Sequence, residues 1–235
     1  MDALLKAGKE YICLMHIHSP VSEKDIRESA NKLIGKITQL PPLKSAVKRE
    51  LREREVYYME ILEIRKQDVL FIVGCQAGTY IRRICDDWGK LLKTRAHMQQ
   101  LIRTKAGPFS DNEWYYLQDI KDAFTLYKEG NDSEIKKIIK PVEFSMTHLP
   151  KVWVSDNAVD PLCHGMNLSL PGISKYEKCI NKDDLIAVFS LKNELVCLGL
   201  ALMSSDEIAS NTKGLVIKIT RVFMDPEVYP HYKKV

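Results

Sequence analysis

The sequence lacks the features that would place it in several large classes. No apolar run approaches the roughly 20 residues needed to span a bilayer, so no membrane-spanning helix is expected. The first eleven residues carry no long apolar core of the kind found in secretory signals, and the chain is expected to be intracellular, in the cytoplasm. Its 6 cysteines, Cys13, Cys75, Cys85, Cys163, Cys179 and Cys197, form no C-x-x-C pair, which argues against a zinc site. Most of them lie among apolar neighbours, as in Leu195-Val196-Cys197-Leu198, the setting of a buried free thiol. A disulfide framework is not expected in a cytosolic chain. There is no internal repeat and no low-complexity tract.

What is present is enough for a packed protein. The 235 residues suffice for one large domain or two smaller ones, and 45% hydrophobic with 28% charged residues is the balance of a globular chain with a sizeable core. The net charge of +4 is only mildly basic. Its local distribution says more. Lys44, Lys48, Arg49, Arg52 and Arg54 form one basic concentration, and Arg82, Arg83, Lys90, Lys93, Arg95, Arg103 and Lys105 form another. Such patches neutralise phosphates and release counterions. The alternative is a solvated charged face, since Glu50, Glu53 and Glu55 are interleaved with the first group.

Patterning predicts a mixed chain. A short helix over 2–7 stops at Gly8, and an apolar strand follows over 9–18. Ser22 with Asp25 three residues on opens a helix carrying Ile26, Ala30, Leu33 and Ile34, with Gly35 as its stop. Pro41-Pro42 forbids helix and favours an extended loop. Stretches 56–64 and 68–75 read as a hairpin, and 79–92 as a helix with Ile81, Ile84, Cys85, Trp88, Leu91 and Leu92 on one face. An extended stretch ends at Gly107-Pro108. Helix is expected over 117–140, interrupted at Gly130-Asn131-Asp132. Near His148-Leu149-Pro150 the texture changes to short strands (151–154, 184–190, 195–203, 215–223) separated by turns, which suggests a small β-barrel. The tail from Tyr229 is expected to fray.

Four stretches carry a resemblance. Lys9-Glu10-Tyr11 before a strand resembles the K-x-Y motif of the TruB/dyskerin RNA pseudouridine synthases. Pro41-Pro42-Leu43-Lys44-Ser45-Ala46-Val47-Lys48 resembles their P-P-x-x-S-A-x-K motif, and Gly78-Thr79-Tyr80-Ile81-Arg82 their G-T-Y-I-R motif. Ala96-His97-Met98 with Leu101, Arg103-Thr104 and Gly107-Pro108-Phe109 resembles their A-H-M-x-x-L-x-R-T-x-x-G-P-F run. The motifs stand in the family's order, and their details are similar to the archaeal and eukaryotic dyskerin branch. Further on, Leu149-Pro150-Lys151-Val152-Trp153-Val154, His164-Gly165-Met166-Asn167-Leu168, Pro171-Gly172-Ile173 and Val222-Phe223-Met224 resemble the PUA domain of archaeal dyskerin homologues.

The resemblance implies an α+β fold: part of the synthase's mixed sheet flanked by helices over 1–148, a PUA β-barrel over 149–227, and a short tail over 228–235. It implies conversion of uridine to pseudouridine in rRNA or tRNA, chemistry that needs a carboxylate, a flipped-out base and a dry pocket, with no metal and no cofactor. Tyr11 takes the position of the tyrosine that packs on the target base and assists proton removal at C5; a flat ring with a polar tip suits both tasks. Arg82 takes the position of the arginine that orients the catalytic carboxylate, which a guanidinium holds bidentately. Lys9, Thr79, Tyr80 and Leu101 are the implied substrate contacts, with Leu101 closing the pocket. Lys44, Lys48, Arg49, His164, Gly165 and Lys175 are the candidate RNA contacts. His97 is expected to be structural or to touch RNA. The implied partners are an H/ACA guide RNA or tRNA and rRNA, with a small zinc-ribbon protein, a small β-barrel protein and a kink-turn-binding protein.

One part of the family pattern is missing. The nucleophilic aspartate of a G-T-L-D-P-like loop should precede the K-x-Y strand, and no such loop is present; the carboxylates ahead of Tyr11 are Asp2 and Glu10, and neither matches it. The chain alone is expected to be inactive, and three origins are open: a second polypeptide supplies the N-terminal part, the sequence is a piece of a longer protein, or the gene has decayed. The alternative is a non-catalytic RNA-binding protein on a degenerate synthase scaffold. Without the motifs, the ordinary fates of these residues would be a strand tyrosine, a solvated helix arginine, a core leucine and barrel turn residues.

Overall fold

The computed structural model describes residues 2–41, 48 and 50–230. Lys44 and Arg49, and most of the Pro-Pro motif, lie outside the described residues. The chain forms two compact units, Met1–Tyr116 and Leu117–Val235. Among the described residues no helix is long and apolar enough to cross a membrane.

The first unit runs α1 (Asp2–Lys6), β1 (Lys9–Ile17), α2 (Glu23–Asn31), β2 (Gly35–Gln39), β3 (Arg52–Arg65), β4 (Asp68–Cys75), α3 (Ile81–Leu91), β5 (Ala96–Ala106) and β6 (Phe109–Ser110). Its strands form one sheet in the order β2-β3-β4-β1-β5-β6, every pair antiparallel. Alternation decides which face is buried. Cys13, Met15 and Ile17 of β1 and Val69, Phe71 and Val73 of β4 enter the core. α2 and α3 cover them with Ile26 and Ala30, and with Ile81, Ile84, Cys85 and Trp88, an i, i+3, i+4, i+7 stripe. The buried Trp88 indole N–H donates to Ser29 Oγ at 2.7 Å, so the core carries a satisfied polar group. Gly89 lets α3 approach β5: a Cβ there would stand 2.4 Å from the Ala96 nitrogen. Lys66 takes a positive φ of 54° in the two-residue loop of the β3–β4 hairpin, as tight hairpin turns require.

β2 is a correction. The sequence predicts a helix stop at Gly35 and assigns no strand after it; Gly35 does have a φ of 97°, and the five residues from it pair with β3. Five residues with mixed polarity carry too little period to reveal a strand.

The second unit runs α4 (Leu117–Lys128), α5 (Ser133–Ile138), β7 (Lys151–Val154), α6 (Asp156–Cys163), β8 (Leu168–Ser169), β9 (Ile173–Tyr176), β10 (Leu185–Ser190), β11 (Leu195–Ala201), α7 (Ser205–Ser210) and β12 (Leu215–Val222). The expected interruption falls between α4 and α5, where Gly130 has a φ of 93°. The strands run β8-β12-β11-β10-β7-β9, with β7 parallel to β10 and the other pairs antiparallel. Central β10 and β11 are continuous apolar runs and are buried almost throughout. Two helices were not anticipated. α6 carries Pro161 inside it, which reads in sequence as a breaker. α7 has a capping box between Ser204 and Glu207, a legible signal that the surrounding turn residues obscured. Tyr229, expected to fray, is instead 6% exposed in the second core, and its hydroxyl donates to Glu194 Oε2 at 2.6 Å.

Candidate functional site

Two of the expected residues, Tyr11 and Leu101, share the helix-covered face of β1 and β5. Tyr11 stands opposite Arg103 on β5, and Cys13 opposite Leu101. Tyr11, Arg103, Cys13 and Leu101 therefore share a face, with Tyr11 and Leu101 as diagonal neighbours. The Arg103 guanidinium carbon lies 5.5 Å from the Tyr11 ring centroid, a cation–π contact. Cys13 Sγ meets Cys85 Sγ at 3.7 Å, which fixes α3 over this patch. Arg82 lies one helical turn before Cys85, in the first turn of α3. Arg82 is exposed and has no hydrogen-bond or ion-pair partner among the described residues. Leu101 is 38% exposed, an apolar side chain left open at the edge of the patch.

The turn before α3 is built to hold its start. Gly78 has a φ of 81°, and the Arg54 guanidinium packs against it. Thr79 Oγ1 donates to the Gln76 carbonyl at 2.7 Å. The buried Gln39 amide clasps Tyr80 from both sides: its Oε1 accepts from the Tyr80 N–H at 2.9 Å, and its Nε2 donates to the Tyr80 carbonyl at 3.2 Å. Thr79 and Tyr80 thus shape the backbone that presents Arg82. Burial pushes the Cys75 thiol beneath this turn up to about 11, so it stays protonated.

Lys9 has a different place from the one expected. Its ammonium donates to the carbonyls of Leu4, Leu5 and Ala7 at 2.9, 3.1 and 2.6 Å, which satisfies the end of α1 and uses all three N–H donors. Burial, and then the charge of Arg103, hold its pKa below the ordinary lysine value. Its role in the structure is to fasten α1 to β1.

Glu10, the acid within the K-x-Y motif, points to the opposite face. Its carboxylate accepts from Thr104 Oγ1 at 2.7 Å and Lys105 Nζ at 3.1 Å, and from the Tyr58 hydroxyl. Burial pushes the carboxyl up, but the bonds from Tyr58, Thr104 and Lys105 outweigh it and hold it below the ordinary carboxylate value. Burial, and then the Glu10 bond, push the Tyr58 phenol up to about 12. His97 lies at the far end of the same sheet. Its Nδ1 is 2.8 Å from His18 Nε2, and His16 beside it bonds Asp68 at 2.6 Å.

The expected RNA contacts are dispersed. Lys48 is exposed and pairs with Glu50. In the second unit, His164 closes α6 with Nδ1 2.9 Å from the Asp160 carbonyl, and Gly165 follows with a φ of 80° and open space around its Cα. Lys175 lies on β9 with its ammonium 4.4 Å from the centroid of Trp153, whose N–H donates to Asn193 at 2.8 Å. His164 and Lys175 belong to different elements with different partners. The residues missed by sequence were Gln39, Arg103 and Cys85. Arg103 was visible within the R-T run and Cys85 on the apolar face of the 79–92 helix; Gln39 carries no signal apart from the pairing that brings it in.

Comparison with known proteins identifies the domains. Residues 2–81 match the family model of the TruB family pseudouridylate synthase N-terminal domain, residues 82–147 the tRNA pseudouridylate synthase B C-terminal domain, and residues 150–223 the PUA domain. A relative from Methanococcus maripaludis, named Probable tRNA pseudouridine synthase B, is 48% identical over 227 residues, covering 96% of this chain and 68% of the relative. Among solved structures, that of a Cbf5-Nop10-Gar1 complex superposes with a TM-score of 0.92 at 46% identity, covering 98% of this chain and 71% of the other. An H/ACA RNP bound to a substrate RNA containing 2′-deoxyuridine superposes with a TM-score of 0.87 at 44% identity, covering 97% and 70%. With its sheet, its Tyr11 patch and its PUA domain in the family's order, the chain belongs to the TruB family of RNA pseudouridine synthases, on the archaeal side that includes the dyskerin homologue Cbf5.

Proposed function

We propose that the chain supplies the base-binding side of a pseudouridine synthase that acts within an H/ACA-type ribonucleoprotein. The target uracil leaves the RNA stack and packs on Tyr11, whose hydroxyl assists removal of the C5 proton once the base has been rejoined through carbon. Leu101 closes the pocket against water. Arg82 orients the attacking carboxylate. The observation that carries this reading is a guanidinium with no partner among the described residues, one turn from the Cys13–Cys85 contact, on the helix that packs against the Tyr11 strand.

The carboxylate itself is not one of the described residues around the patch. Glu10 is committed on the other face, and Asp86 is held by Arg83 at 3.1 Å and Lys90 at 2.9 Å. The nucleophile comes from a segment outside the described residues, as a separate N-terminal fragment would provide. Functionally the chain divides into the synthase part over 1–148, the PUA domain over 149–227 and the tail over 228–235. The proposed contacts to the substrate RNA are Lys48, with Lys44 and Arg49 outside the described residues, and the proposed contacts to the guide RNA are His164, Gly165 and Lys175. The relatives solved with Nop10 and Gar1 and with RNA support partners of those kinds, a zinc-ribbon and a small β-barrel protein, together with a kink-turn-binding protein.

The test is pseudouridine formation in a guided RNA, with the chain alone and with a polypeptide carrying the aspartate loop added. No turnover alone and turnover on addition is the expected result. Turnover by the chain alone overturns the external nucleophile. In the completed enzyme Tyr11→Phe should lower turnover by about 10²–10⁴-fold, the usual range for a lost acid–base group. A second reading, a non-catalytic RNA-binding protein, is favoured by the absence of a carboxylate paired with Arg82 among the described residues. RNA binding without turnover in any reconstituted complex would select it.

A further inference from the structure

We propose that a cavity at the end of β5 is a second nucleotide subsite, which takes the base next to the target uridine. The proposal rests on the reading of Tyr11 as the residue that receives the target base. The cavity has a volume of about 290 Å³, and Arg103, Lys105, Phe109, Glu113 and Trp114 are among the residues that line it. That size suits one planar ring system, below the roughly 300–1,000 Å³ of drug-sized ligand sites.

Three observations point to a nucleotide. The first is continuity: Arg103 lines the cavity and also stacks on Tyr11 at 5.5 Å, so the cavity opens one side chain away from the candidate pocket. The second is the backbone. The register between β1 and β5 shifts at Glu10/Tyr11, where Thr104 is the extra residue. This bulge turns Arg103 toward Tyr11 while Thr104 and Lys105 bind Glu10 on the other side. Bulges of this kind commonly re-aim side chains beside functional sites. The third is Trp114, a tryptophan 61% exposed at the cavity wall. An open indole face beside cations is the platform on which single-stranded bases stack.

The charges indicate which part of the nucleotide is held. Lys105 is already paired with Glu10, and Glu113 also lines the wall, so the site does not favour a phosphate group deep inside. The base enters against Trp114 and Phe109. Its phosphate remains at the mouth, near the guanidinium of Arg103, which also touches the target base's tyrosine. A strand threaded in this way has two adjacent bases parted by Arg103, one on Tyr11 and one on Trp114.

The test is equilibrium binding of the full chain to a fluorescein-labelled single-stranded oligoribonucleotide with one uridine. The same RNA is made with an abasic nucleotide on the 5′ side of the uridine and, separately, on the 3′ side. Trp114→Ala should weaken binding of the intact RNA by about fivefold or more, the effect of losing one stacked base, and Trp114→Phe should restore most of it. One of the two abasic RNAs should bind the parent chain and Trp114→Ala equally. An unchanged affinity in Trp114→Ala, or an equal loss with both abasic RNAs, overturns the subsite. Tyr11→Ala separates the two claims. If it weakens binding while Trp114→Ala does not, the Tyr11 reading stands and the subsite falls. If neither variant matters, or the chain binds no RNA, both fall.

Discussion

Tyr58 and Glu10 form the most perturbed ion-and-phenol pair of the first unit, and their pH dependence has a definite sign. The Glu10 carboxyl titrates below its ordinary 4.5 in the folded chain, so its contribution to stability is present above that value and is lost as pH falls through the lower, folded value. The Tyr58 phenol titrates at about 12 instead of 10.0, so its contribution is present below 10 and is lost as pH rises toward 12. Urea midpoints measured across this range should fall at both ends, and Tyr58→Phe should flatten the alkaline limb. Thr104→Val removes a buried donor to the carboxylate and should cost about 1.5–3 kcal/mol by the same measurement. None of this was legible in the sequence. Glu10 reads there as the variable position of K-x-Y, and its partners lie 48, 94 and 95 residues away.

Among the elements, α3 and the strands beneath it were the most legible, because an eleven-residue helix with a continuous apolar stripe leaves little ambiguity. Close approaches were not legible. Gly89 holds α3 against the start of β5, and Gly74 lets the Tyr58 ring lie on β4, where a Cβ would stand 2.3 Å from the ring. Gly89→Ala meets backbone that cannot give way and should destabilise by about 1–3 kcal/mol or more, read as a lower urea midpoint with an unchanged slope. Gly74→Ala meets a side chain 42% exposed, so the ring can swing aside. The smaller loss expected there should come with loss of the Glu10 bond, visible as a tyrosine that ionises nearer 10. The comparison of the two glycines separates a packing limit from a movable neighbour.

At the scale of the whole molecule, each unit closes its own core, the first around Trp88 and Phe71 and the second around β10 and β11. A fragment of residues 117–235 is expected to fold alone and to melt cooperatively, checked by calorimetry on the fragment and the full chain. The change in texture near Pro150 was visible in the sequence, since strand patterning replaces helical spacing there. The contact division at Leu117 was not, because α4 and α5 read equally well with either side until their packing is known. The family's ordered motifs are what single out Tyr11, Arg82 and Leu101 as candidates. The clasp of Gln39 on Tyr80 and the contact of Arg103 with Tyr11 depend on strand pairing, which no short motif encodes.

The outer side of β5 has one further consequence. Among the described residues it is paired only at Lys105 and Ala106, through β6, while β5 itself extends from Ala96. Ahead of that pair, amide and carbonyl groups face outward beside Leu101 and Ile102, which are 38% and 51% exposed. Such a border invites another strand to lie along it. Handled in isolation the protein should therefore become turbid or sediment faster as its concentration rises, and a proline placed at Gln99 or Gln100 should suppress that clumping if this margin is where the copies adhere.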